Sequence, residues 1–118
     1  MGYFLKKTCK ALFLMDGRIK VLETMQYITL TDKSITVPEG FICDCASIPR
    51  FFIRLCGSAM HPKNLRAGIV HDYIYSVHMF DREHCDQIFY EILRSEGKSW
   101  IIAKLMYQAV RVFGESHY

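Results

Sequence analysis

The apolar pattern of this chain changes period partway along, and that change limits the folds open to it. From Tyr3 to Phe41 the apolar residues fall in short runs of β-formers broken by turn signals. From about Pro62 onward they recur at the three- and four-residue spacing of helices. A β-rich segment of about 1–43 followed by a helical segment of about 46–114 makes an α+β chain. Its 118 residues suit one domain, 1–118, able to bury a real core without disulfides or metal.

The strand half begins with Ala11-Leu12-Phe13-Leu14, which leads into Asp16-Gly17, a hairpin turn signal. Ile19 to Val21 and Tyr27 to Leu30 follow. Thr31-Asp32-Lys33-Ser34 is a second turn before Ile35-Thr36-Val37, and Pro38-Glu39-Gly40 ends that run. This reads as a small antiparallel meander, too small to stand alone, that lays one face on the helices. Phe41-Ile42-Cys43 is extended and stops at Asp44. Asp44 or Ser47 can cap a short helix with Pro49 in its first turn, ending near Gly57.

Three main helices complete the chain. The first, about Pro62 to Val77, has its apolar stripe at Ala67, Val70, Ile74 and Val77. The second, Arg82 to Ser95, is capped by Asp81, buries Cys85, Phe89, Ile92 and Leu93, and places Gly97 just past its end. The third runs from Trp100 to Phe113 between Ser99 and Gly114. Its polar residues Lys104, Gln108 and Arg111 form one narrow stripe, so this helix is either centrally buried or meets a partner.

Hydrophobic residues make up 51% and aromatics 14%, which argues against disorder. The net charge of +3 is spread along the chain without a basic run, so no nucleic-acid surface is expected. The five cysteines Cys9, Cys43, Cys45, Cys56 and Cys85 are odd in number and irregular in spacing, which fits a reduced chain rather than a disulfide framework. Lys10 interrupts any signal-peptide core, and no apolar run is long enough for a transmembrane helix.

Chemistry concentrates around His71 and Asp72. The first two main helices form a hairpin turning near residue 79, with His71 eight residues before that point and Asp86 seven after it. An antiparallel pair places them at one height, each on the edge of the seam. A His71–Asp86 hydrogen bond there fixes the imidazole tautomer and raises its basicity, as a general base requires. Tyr75 shares the flank of His71 one turn on, and Gly68 leaves room one turn back. Asp72 points about 100° away, placed to hold a cation or a water, and Asp44 can add a second oxygen ligand. Carboxylates suit a hard cation such as calcium.

Other readings use the same residues. Asp86 can pair with Arg82 at i−4 and leave His71 satisfied in a purely structural cluster, with Asp44 and Ser47 as caps only. A Ser47–His71–Asp86 triad is a rival, without a G-x-S-x-G elbow. Cys43 or Cys45 as a nucleophile is another. His61, His78, His84 and His117 have no zinc-like spacing.

The run Val37-Pro38-x-Gly40-Phe41-x-x-Asp44-x-Ala46-Ser47-Ile48-Pro49-Arg50, with His71-Asp72-x-x-Tyr75 and Arg82-x-x-x-Asp86-x-x-Phe89, resembles a family of small uncharacterised phage and prophage proteins. Met106-Tyr107-x-x-Val110-Arg111-x-Phe113-Gly114 is similar to that family's closing pattern, and the resemblance spans about residues 27–114. It implies phage or prophage origin: a protein of the host cytoplasm during phage expression, or one carried in the virion. Cys43 stands where the family more often has Thr, and Cys45 where it has an aromatic or apolar residue.

The segments Val70-His71-Asp72-Tyr73-Ile74-Tyr75 and Cys85-Asp86 also resemble the paired helices of secreted phospholipase A2, although the glycine-rich calcium loop of that superfamily is absent. That resemblance implies His71 activating water, Asp86 orienting it, and Asp72 binding calcium. The resulting expectation is a hydrolase of an ester, lipid or cell-envelope substrate. His71 and Asp86 form its core, Asp44, Ser47, Tyr75 and Arg82 support them, and Ca2+ sits on Asp72 and Asp44. The alternative is a non-enzymatic virion, tail-region or host-interaction protein whose last helix docks other phage proteins.

Overall fold

The structure, a computed structural model, describes residues 2–6, 8–16, 18–43 and 62–113. The strands are β1 (Tyr3–Phe4), β2 (Ala11–Phe13), β3 (Ile19–Val21), β4 (Met25–Ile28), β5 (Ser34–Val37) and β6 (Ile42–Cys43). The helices are α1 (Pro62–Ser76), α2 (Arg82–Ser95) and α3 (Trp100–Phe113). This is the α+β arrangement expected. The short helix after Asp44, with Asp44, Cys45 and Ser47 themselves, lies outside the described residues.

The strands divide between two antiparallel sheets, ordered β1-β4-β5 and β2-β3-β6, rather than following one meander. Each sheet is a local hairpin that gains a distant third strand. The β2–β3 turn is held by Asp16 Oδ1, which accepts from the Arg18 N–H at 3.1 Å. In the β4–β5 turn Asp32 takes φ 61° and Thr29 Oγ1 accepts from the Lys33 N–H at 3.0 Å. Gly40, at φ 91°, lets the chain turn back so that Val21 N–H meets the Phe41 carbonyl at 2.8 Å. That turn delivers β6 to the edge of β3.

Alternation along the strands decides which face is buried. Ile19, Val21, Met25, Tyr27, Ile35, Val37 and Cys43 point inward while Lys20, Gln26 and Thr36 face solvent. Opposite them lie Ala67, Ile69, Val70 and Ile74 of α1, and Cys85, Ile88, Phe89, Ile92 and Leu93 of α2. Each fully buried aliphatic side chain contributes roughly 1.5–3 kcal/mol, enough to order strands too short to persist alone. Helix α2 lies between α1 and α3, and α1 carries β5 and β6.

Capping chemistry sets the helix ends. Asp81 accepts from the His84 N–H at 2.8 Å to start α2. Gly97 closes it in a Schellman motif, with Lys98 N–H on the Leu93 carbonyl at 3.0 Å and Gly97 N–H on that of Arg94 at 3.1 Å. Helix α1 ends in the same geometry with His78, at φ 50°, in the position glycine usually takes. Val77 consequently leaves the helix and is 50% exposed, where the apolar stripe had it buried. Ser99 Oγ accepts from the Ile102 N–H at 3.3 Å to cap α3.

Two polar staples cross between layers. Tyr27 donates to Glu91 Oε2 at 2.9 Å, and Glu91 Oε1 accepts from the Leu30 N–H at 2.6 Å. Arg66 makes a forked pair with Glu96 at 2.5 and 2.8 Å, and lies 4.1 Å from the Phe4 ring centre. Gly2 sits against the first staple, and a Cβ there would meet the Tyr27 hydroxyl and come within 2.6 Å of the Ile28 carbonyl oxygen. Among the described residues no helix is long and apolar enough to cross a membrane.

Candidate functional site

Helices α1 and α2 run antiparallel about the turn at 77–81, so His71 and Asp86 meet across the seam. His71 Nε2 lies 2.7 Å from Asp86 Oδ1. The same oxygen accepts from the Tyr75 hydroxyl, one turn further along α1. The other oxygen, Oδ2, accepts from Arg111 Nη1 at 2.9 Å, so a residue of α3 completes the cluster. The imidazole is wedged between Tyr75 and Phe89, with ring centres 4.2 and 4.8 Å away.

Electrostatics follow from that packing. The Asp86 side chain has no exposed surface, and burial alone pushes its carboxyl upward. The hydrogen bonds from His71, Tyr75 and Arg111 outweigh burial and hold it below the usual carboxylate range. Burial, then the bond to Asp86 and its charge, push the Tyr75 phenol well above its ordinary value, so it remains a donor. An ionised carboxylate only accepts. Neutral His71 therefore carries its proton on Nε2 and presents Nδ1 as its basic nitrogen. Nδ1 has no hydrogen-bond partner among the described residues, and 12% of the side chain stays accessible.

Arg82 does not pair with Asp86. Its Nη2 donates to the Val110 carbonyl at 3.2 Å and to that of Arg111, closing the end of α3. Helix ends leave such carbonyls open, and a long side chain in the first turn of α2 reaches them. Arg111 is the partner that sequence reasoning missed. Counted about Gly97, Asp86 lies eleven residues before the turn and Arg111 fourteen after, a mismatch an arginine side chain spans. Height about the second turn brings Arg111 toward Asp86 only loosely, and the polar stripe it shares with Lys104 and Gln108 masks it.

Asp72 is partly buried and already engaged in a contact of its own. Among the described residues no three His, Cys, Asp or Glu side chains come together as a metal site. A calcium ion on Asp72 therefore needs oxygens from outside the described residues, Asp44 among them. Cys43 is fully buried, its thiol directed at the Gly68 carbonyl at 3.9 Å, which is a packing position. His84 stacks on Phe80 with ring centres 4.5 Å apart. Of the grooves lined by described residues, one of about 270 Å³ lies between Gln87, Tyr90, Lys104 and Tyr107, and one of about 150 Å³ runs along Thr29 to Thr31 and α2.

Residues 19–110 match the family described as "Protein of unknown function (DUF1353)". The chain is also similar to "Uncharacterized protein y4jT" of Sinorhizobium fredii strain NGR234, with 33% identity over 78 residues. That match takes in 66% of this chain and 23% of the relative, so the aligned part is about a quarter of the length of y4jT. No solved structure matches. The matched stretch holds His71, Tyr75 and Asp86 and stops one residue short of Arg111. With three-quarters of its length inside that match, the chain belongs to the DUF1353 family.

Proposed function

We propose that this protein is a phage- or prophage-encoded hydrolase with His71 as its general base, acting on an ester, lipid or other cell-envelope substrate. The observation that carries the reading is the engagement of His71 Nε2 by a fully buried, ionised Asp86, which leaves Nδ1 as the basic nitrogen. Nδ1 takes a proton from water as the oxygen attacks the acyl carbon. The imidazolium so formed is stabilised by Asp86, whose charge Tyr75 and Arg111 maintain. The same proton then passes to the departing alkoxide as the tetrahedral intermediate collapses, restoring neutral His71. A Ca2+ ion held by Asp72 and Asp44 would supply positive charge to the carbonyl oxygen when bound.

The test is hydrolysis of a panel of aryl esters, phospholipid vesicles and peptidoglycan by wild type and His71→Gln, with and without millimolar calcium. Wild-type turnover that falls roughly 10²–10⁴-fold in His71→Gln, at an unchanged melting temperature, is the expected result. Equal rates in the two proteins would remove His71 from the chemistry. Calcium should raise the melting temperature of wild type but not of Asp72→Asn; an unchanged wild-type curve removes the ion.

A second reading rests on its own observation. The Asp86 cluster joins all three helices, which also suits a polar network that specifies packing without catalysis. Trp100, Ile101 and Val112 are 59, 54 and 68% exposed on α3, a surface for other virion or tail proteins. Absence of turnover across the panel, with the cluster still needed for stability, favours this reading.

A further inference from the structure

We propose that β2 is a self-pairing edge through which two copies of this chain join their small sheets into one. In the order β2-β3-β6, β2 has a neighbour on one side alone among the described residues. Leu22 N–H donates to the Lys10 carbonyl at 2.9 Å and Leu14 N–H to that of Arg18 at 2.8 Å, with Leu12 opposite Lys20. Lys10, Leu12 and Leu14 therefore spend their backbone groups on β3. By the alternation of an antiparallel ladder, Ala11 and Phe13 aim theirs at the open edge.

Edge strands are normally blunted by charge, proline or a bulge. Ala11-Leu12-Phe13-Leu14-Met15 has no charge or proline, and Leu12, Phe13 and Met15 are 48, 51 and 105% exposed. Phe13 lies opposite buried Ile19, on the core face of the sheet, and half of it has no cover. The occupant that fits is the same strand from a second copy. A two-fold axis through Phe13 pairs the strands antiparallel, with Phe13 opposite its counterpart, Ala11 opposite Met15 and Leu12 opposite Leu14. The outward backbone groups of the two Phe13 residues then bond each other. This register also brings Lys10, which pairs with Glu23 at 3.5 Å, up to Asp16, which pairs with Arg18 at 2.7 Å, and both side chains are more than half exposed, at 69 and 51%. The pairing is thus complementary in hydrogen bonding, in apolar surface and in charge.

So short a contact makes a weak dimer, dissociating at roughly 10–100 µM. Sedimentation velocity of the full chain from ~5 to ~500 µM should show a monomer–dimer equilibrium. Phe13→Glu sets like charges against each other on the axis, and Ala11→Pro deletes an N–H that the β2–β3 ladder does not use. Each should weaken dimerisation at least about tenfold while leaving the thermal melt intact, and Ala11→Pro keeps the test open should Phe13→Glu misfold. A wild type that stays monomeric at the top concentration overturns the proposal. So does dimerisation unchanged in both variants, or association that continues past the dimer.

Discussion

Asp86→Ala should cost the fold about 3–5 kcal/mol, a fall in melting temperature of more than ~10 °C. The side chain is fully buried, and its removal strands three donors at once, on His71, Tyr75 and Arg111. Asp86→Asn keeps the volume but turns an amide N–H₂ toward donors on one side, so it should recover little of the loss. A cost under about 1 kcal/mol would show that the cluster does not hold the helices together.

The same residue shapes the acid limb of stability. The folded pKa of Asp86 lies below its unfolded value, because bonds from His71, Tyr75 and Arg111 outweigh burial. Its contribution is therefore complete above the unfolded value, about 3.9, and is lost as pH falls below that through the folded value. Wild-type melting temperature should drop below about pH 4, and Asp86→Asn should drop less steeply. Asp16 and Glu23 are also held low, by Arg18 and by Lys6, but they are surface groups. Added salt should shrink their share and spare that of Asp86.

Tyr27→Ala is the second large effect, about 3–5 kcal/mol in urea unfolding at an unchanged slope. Tyr27 is among the largest fully buried side chains, its ring centre is 4.8 Å from that of Phe4, and its hydroxyl holds Glu91 at 2.9 Å. Tyr27→Phe keeps the ring and leaves Glu91 bonded to Leu30, so it should cost only about 1–2 kcal/mol. If the two variants cost the same, the hydroxyl bond rather than burial anchors the sheet to α2. Burial and the Glu91 bond also push the Tyr27 phenol well above its ordinary value. In an alkaline absorbance titration it should ionise above the ordinary phenol range.

Where the determinants were local, the sequence was readable. Asp81, Gly97 and Ser99 carry their capping chemistry within four residues, and α2 begins and ends, and α3 begins, where those residues say. His71 and Asp86 could be paired because one short turn sets their relative height. The sheet partition was not readable, since β1 and β6 are two residues each and their partners lie far along the chain. Proximity along its own helix points Arg82 to Asp86, whereas the open carbonyls of α3 compete for it across space. Arg111 was hidden in a polar stripe with Lys104 and Gln108, which are exposed while Arg111 turns inward.

The exchange of arginines between α2 and α3 has a consequence for how the molecule opens. Arg82 holds the last carbonyls of α3, and Arg111 in the last turn of α3 holds the buried charge of α2. A terminal helical turn ordinarily frays at little cost, well below the free energy of global unfolding. Here fraying would strip Asp86 of its cation and reopen the carbonyls together. The end of α3 thus belongs to the same cooperative unit as the core, and its amides should exchange with solvent on the timescale of whole-molecule opening.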